Sequence, residues 1–159
     1  MRKIITAGLL ITCLISPVFA EENEASTVAS VSAVSAEATT DDRKAIEKVI
    51  QDYFDGIGAA DDERLQRAFH VDAAAMVGIS KENGGTLRSF KDMAGVIENW
   101  AGNKNPEGTG RDGEILDMAV MDGRIAMVMF RYKDEYYDVL TLLKMDGVWK
   151  IATKTYVER

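Results

Sequence analysis

The sequence predicts an α+β domain in which three N-terminal helices pack on one face of a curved antiparallel sheet and close a cone. Three observations predict it. Apolar residues recur at helical spacing before Gly102 and at strand spacing after Gly113. Two dipeptides, Asp122-Gly123 and Asp146-Gly147, suit the positive-φ positions of tight hairpin turns. The last four strands follow one another without an intervening helix, an order that excludes an alternating parallel fold. A curved sheet capped by helices encloses space, so a pocket is expected.

The first 20 residues stand apart from that domain. Arg2 and Lys3 precede an apolar run from Ile4 to Ile15, and Pro17-Val18-Phe19-Ala20 places small residues for cleavage after Ala20. This is the pattern of a secretory signal peptide, too short for a comfortable membrane span. The protein is therefore expected in the periplasm or outside the cell. Removing 20 of the 159 residues leaves 139, enough for one core. Loss of Arg2 and Lys3 takes the net charge from −7 to −9. So acidic a chain is a poor partner for nucleic acid or anionic membrane, where cations supply the affinity. Cys13 leaves with the leader, so the mature chain has no disulfide and no thiolate for catalysis or metal binding. Residues 21–40 hold no aromatic residue and read as a disordered linker, which leaves 41–159 for the domain.

Each element has its signal. Thr40 or Asp41 can cap a first helix, with Ile46, Val49, Ile50, Tyr53, Phe54 and Ile57 on one stripe and Gly56 and Gly58 as its end. A second starts at Asp61-Asp62, buries Leu65, Ala68 and Phe69, and stops near His70. Ala73 to Ile79 reads as a strand, followed by a turn at 82–85 and a short strand from Thr86 to Arg88. Ser89 with Asp92 resembles a cap for a third helix carrying Phe90, Met93, Ala94, Ile97 and Trp100. Gly102 to Gly113 reads as a mobile loop.

The four-strand meander fixes which side chains share a face, provided its turns are two residues long. Counting from Asp146-Gly147 sets Lys144 opposite Trp149, Leu142 opposite Ile151, Leu140 opposite Thr153, and Asp138 opposite Thr155. Counting from Asp122-Gly123 sets Val120 opposite Ile125, Met118 opposite Met127, Leu116 opposite Met129, and Glu114 opposite Arg131. A third turn at Asp134-Glu135 then brings Met127 to Leu142, Met129 to Leu140, and Arg131 to Asp138. The resulting inner face is apolar near the last turn and polar at its far end.

With the elements placed, AIEKVIQDYFDGIGAADDERLQRAFHVDA (45–73) and YYDVLTLLKMDGVWKIATKTY (136–156) resemble the Putative lumazine-binding family of bacterial proteins. That family lies in the nuclear-transport-factor-2-like, SnoaL-like superfamily. The shared features are YFDG ending the first helix, AFH ending the second, the D-x-L-x-L-L-K strand and the G-x-W-K-I-x-x-K-x-Y strand, together spanning about residues 42 to 157. The resemblance implies a cone-shaped α+β barrel that dimerises through the outer face of its sheet. Val71 stands where the family usually has proline. Relatives include ketosteroid isomerases, dehydratases and polyketide cyclases, as well as proteins without catalytic activity, so the fold alone assigns no reaction.

The residues that could carry chemistry are few. His70, the single histidine, could be a general acid or base, or could simply hydrogen-bond the chain where the second helix turns into the first strand. Asp138 could abstract a proton beside a carbonyl, with Tyr53 as a neighbouring donor, or could form a structural pair with Arg131. Trp100, Trp149, Met127 and Met129 could line an aromatic-ligand pocket or fill the core. The expected pocket set is Tyr53, Trp100, Met127, Met129, Arg131, Asp138, Thr153 and Thr155. The opposite face, with Tyr137, Val139, Leu143, Ala152, Lys154 and Tyr156, is expected to form a homodimer. No cofactor or metal is implied. The function expected is that of a module that binds a small apolar or aromatic molecule, or of an accessory protein, without catalysis; an isomerase or dehydratase is the alternative, and a purely structural envelope protein the third.

Overall fold

The computed structural model describes residues 39–159. The expected signal peptide and all but the last two residues of the expected linker lie outside the described residues. The helix α1 (Thr40–Ala59) is capped by Thr39, whose side chain accepts from the Asp42 amide at 3.0 Å, just ahead of the expected cap. Gly56 and Gly58 do not end it. They are packing positions: a Cβ on Gly56 would sit 2.9 Å from Leu65 Cγ, and one on Gly58 would sit 2.2 Å from the Gly108 carbonyl. The left-handed Ala60 (φ 54°) follows, and Asp61 caps α2 (Asp62–Ala68).

After α2 come β1 (Ala75–Ser80), a single 3₁₀ turn (Glu82–Gly84), β2 (Thr86–Phe90), and α3 (Met93–Ala101), capped by Asp92, whose carboxylate accepts from the Gly95 amide at 3.0 Å. Ser89 belongs to β2. The meander is β3 (Gly113–Met121), β4 (Ile125–Tyr132), β5 (Tyr136–Met145) and β6 (Val148–Glu158). The six strands form one curved, open sheet in the order β2-β1-β6-β5-β4-β3. It is not wholly antiparallel: β1 runs parallel to β6, from Ala75 beside Thr153 to Ile79 beside Val157. The end of α2 sets that direction, because Phe69 bridges to Ile151 and the His70 amide donates to the Ile151 carbonyl at 2.9 Å. Helix residues Ile46, Ile50, Leu65, Met93 and Ile97, with Phe69 just past α2, meet Val120, Val128, Leu140, Leu142 and Ile151 of the concave face in one core. Among the described residues no helix is long and apolar enough to cross a membrane.

Four local irregularities, two longer turns and two bulges, set the register apart from the expected one. The turn after β3 spans three residues, so Met121 faces Ile125 and Val120 faces Ala126; a bulge at Leu116 then restores Glu114 opposite Arg131. The next turn also spans three residues, with Lys133 left-handed at φ 48°, so Phe130 faces Asp138 and Val128 faces Leu140. Between them, these turns put Ala126, Val128, Phe130 and Tyr132 inside, and Met127, Met129 and Arg131 outside. In the last hairpin Lys144 faces Trp149 and Leu142 faces Ile151 as expected. A bulge at Ala152 then sets Leu140 opposite Lys154 and Asp138 opposite Tyr156. Thr153 and Thr155 therefore face outward, and Lys154 and Tyr156 inward.

Candidate functional site

The concave face of β1, β6 and β5 is built in rows. Leu142 and Ile151, near the last turn, are completely buried. The next row holds Leu140, Lys154 and Met76, and the one after it Asp138, Tyr156 and Gly78. The outermost row pairs Tyr136 with Glu158, beside Ser80 at the end of β1. The face thus grades from apolar to polar, and the helices leave its polar end uncovered. There a cavity of about 930 Å³ opens, a volume suited to a small organic molecule.

Eight aromatic residues line this cavity: Tyr53, Phe54, Phe90, Trp100, Phe130, Tyr132, Tyr136 and Tyr156. Gly78 permits part of that lining, because a Cβ there would lie 2.2 Å from the Tyr156 ring. Three polar side chains from three elements meet on the wall. Tyr53 Oη donates to Asp138 Oδ2 at 2.8 Å, and Lys154 Nζ donates to Tyr53 Oη at 2.7 Å. Lys154 Nζ also contacts Asp138 Oδ2 directly as an ion pair. All three are buried, at 3% exposure for Tyr53, 4% for Asp138 and 7% for Lys154. Burial pushes the Lys154 ammonium down, while the Asp138 carboxylate opposes that shift. Burial and the same carboxylate push the Tyr53 hydroxyl well up, so Tyr53 stays a neutral donor. Both contacts fall on Oδ2. Asp138 Oδ1 is buried and has no hydrogen-bond partner among the described residues.

The segment before β3 forms the rim. Tyr132 Oη donates to Glu107 Oε2 at 2.6 Å, which holds the Glu107 carboxyl below its usual range. The Arg111 guanidinium lies 4.0 Å from the Phe54 ring centre and 4.8 Å from that of Tyr132, and it donates to the Phe54 carbonyl. Gly108 N donates to the Gly58 carbonyl at 2.6 Å. These contacts tie the glycine-rich segment down onto α1. Across the mouth, Tyr136 Oη donates to Glu158 at 3.2 Å, and burial together with that carboxylate pushes the phenol up to about 12.

Of the residues expected at the pocket, Tyr53, Trp100 and Asp138 line the cavity. Met127, Met129, Arg131, Thr153 and Thr155 do not, because of the longer turns and the Ala152 bulge. Arg131 pairs with Glu114 and Asp134, so the Arg131–Asp138 pair is absent and Lys154 holds the carboxylate instead. Trp149 lies in the core, where its indole donates to Asp42 Oδ1 at 2.8 Å. His70 is not part of the cavity lining, and its ring Nε2 lies 3.3 Å from the Leu143 carbonyl. Of the residues expected on the outer face, Tyr137, Val139 and Leu143 lie there, Lys154 and Tyr156 do not, and Ala152 is the bulge itself. Lys154, Tyr156, Phe130 and Tyr132 were missed as lining residues. The alternation of Phe130 with Tyr132 was the available signal, and it was masked by the two-residue turn assumed beside it. Among the described residues no group of three or more His, Asp or Glu side chains is placed to hold a metal ion.

The architecture, three helices on an open six-stranded sheet, is that of the nuclear-transport-factor-2-like (NTF2-like) proteins. It matches an NTF2-like protein of unknown function from Shewanella baltica OS155 at a TM-score of 0.63 and 22% identity, covering 75% of this chain and 94% of that one. A second, from Methylobacillus flagellatus KT, matches at 0.63 and 21%, covering 79% and 98%. A third, from Silicibacter pomeroyi DSS-3, matches at 0.57 and 22%, covering 77% and 100%. No protein of curated function matches the chain. A family model described as "Putative lumazine-binding" matches residues 41–157, and the chain belongs to that family.

Proposed function

We propose that this protein is an exported binding module that holds a small, apolar or aromatic molecule in the cavity and performs no reaction on it. The aromatic-lined cavity with the Tyr53–Asp138–Lys154 cluster on its wall carries this reading. Aromatic walls supply contact area, and a few fixed polar groups orient the occupant. Three features weigh against catalysis. Both the cation and the phenol occupy Asp138 Oδ2, the remaining proton-handling candidate His70 lies outside the cavity lining, and Lys154 is locked in a buried pair.

The module is proposed to act as a homodimer through its convex sheet face. Val77, Thr155, Val139 and Met129 form one row across four strands, flanked by Ile79 and Val157. The apolar members of this set are 38–44% exposed, and a patch shared by both copies suits a two-fold contact. Native mass spectrometry of the protein purified from its own host tests both statements. The expected result is a dimer, cleaved after Ala20, carrying a non-covalent small molecule. A ligand-free monomer would contradict the proposal.

One observation keeps an isomerase or dehydratase as a second reading: Asp138 sits in the cavity with one oxygen free and without Arg131 beside it. Incubation with 2-tetralone in D₂O distinguishes the two. Exchange of the α-protons that is lost in Asp138→Asn would establish proton abstraction, and an unchanged background rate removes it.

A further inference from the structure

Among the described residues three buried side-chain polar atoms lack a hydrogen-bond partner: Ser80 Oγ, Arg111 Nε and Asp138 Oδ1. All three belong to residues that line the cavity. Arg111 Nε is packed against α1, since a Cβ on Gly58 would fall 2.5 Å from it, so it is not assigned to an occupant. Asp138 and Ser80 lie on the polar end of the concave face, within two rows of each other. Resting on the ligand-binding reading above, we propose that the cavity selects a planar aromatic molecule bearing an O–H or N–H donor, and that Asp138 Oδ1 recognises that donor.

An ionised carboxylate only accepts hydrogen bonds, and its two oxygens have room for about four. Here Oδ2 takes both protein contacts, which hold the carboxylate in place, and Oδ1 takes none. Asp138 lies between Phe130 on β4 and Tyr156 on β6, and all three residues line the cavity, so the carboxylate stands beside aromatic rings. A ligand donor there satisfies an acceptor already removed from water. A ligand of the same shape without a donor covers that acceptor and leaves it unpaired, and an anionic edge places like charge against it. Ser80 Oγ, able to donate or accept, tolerates either group nearby and does not set the preference. The selection is therefore for neutral or cationic donors over both isosteres, a difference in affinity built partly from what is rejected.

Three naphthalenes of one ring shape test this by calorimetric titration of the purified protein: 2-naphthol, 2-methoxynaphthalene and 2-naphthoate. The expected result is that 2-naphthol binds ~10-fold or more tightly than 2-methoxynaphthalene, the discrimination of one buried hydrogen bond, and that 2-naphthoate is weakest. In the double variant D138L/K154M, which leaves no unpaired charge, 2-methoxynaphthalene still binds and the preference for 2-naphthol falls to within about twofold. Circular dichroism verifies that the variant is folded, and Asp138→Asn alone provides a second comparison. Equal binding of 2-naphthol and 2-methoxynaphthalene to the native protein overturns the donor preference and leaves the ligand site standing. Tightest binding of 2-naphthoate overturns it in favour of recognition by Lys154. Failure of all three to bind overturns the donor preference and the aromatic-ligand reading together.

Discussion

Asp138 and Lys154 bury opposite charges in contact, and Tyr53 bridges them from α1. Removing one partner leaves the other charged and dry. Asp138→Ala is therefore expected to cost about 3–5 kcal/mol in urea unfolding, with most of it recovered in D138L/K154M. Asp42 offers a separate test at the far end of the same sheet. Lys144 Nζ donates to its Oδ1 at 2.7 Å and Trp149 Nε1 donates to the same atom at 2.8 Å, and these bonds lower its carboxyl to about 2. A carboxyl lowered on folding stabilises the protein fully above its unfolded pKa of 3.8 and loses that contribution as pH falls through about 2. Screening around the partly exposed Lys144 limits the effect to about 1–2 kcal/mol. Asp42→Asn should abolish that part of the stability change in urea titrations run between pH 5 and pH 2. Of these pairings the sequence showed only Tyr53 beside Asp138. Lys154 and Asp42 were hidden, because neither partner is near in sequence and lysine counts as a surface residue until something compensates its burial.

At the scale of elements, glycine and bulge positions decide what faces the cavity. Gly58 brings the Gly108 carbonyl and the Arg111 side chain against α1, so Gly58→Ala overpacks a junction whose nearest neighbour is backbone. A loss of about 1–3 kcal/mol is expected, together with faster proteolysis within 102–112, measured by urea unfolding and limited digestion. The helices were legible from their apolar spacing, and the last hairpin was legible as far as Ile151. The bulge at Ala152 was not, since Thr153 and Thr155 look better suited to an interior than Lys154 does. Turn length failed for a related reason. Asp122-Gly123 and Asp134-Glu135 each mark a reversal, but the third residue of each turn, Arg124 in one and Lys133 in the other, is settled by which strand faces bury together.

At the scale of the whole molecule, the parallel pairing of β1 with β6 extends the meander into a six-stranded sheet and adds Met76 and Ser80 to the cavity wall. The same pairing carries Val77 and Ile79 onto the convex face beside Val157, which enlarges the proposed subunit contact. Val139→Glu, in the middle of that face, is expected to convert a dimer to a monomer in light scattering while leaving ligand affinity within about twofold. Like charges would meet across the two-fold axis, whereas the cavity lies on the other side of the sheet. Retention of the dimer would place the contact elsewhere.

The sequence by itself determined the α+β class, the order of the elements, the family and the inward position of Asp138, because periodicity, caps and turn residues act over a few neighbours. Only the tertiary structure decided that Lys154 rather than Arg131 holds Asp138, that Tyr156 lines the cavity, and that the methionines of β4 face outward. Each of those outcomes turns on a shift of one residue in a strand. In a two-residue repeat such a shift exchanges inside for outside, and its cost is set by contacts with α1 and β1, far away in the chain.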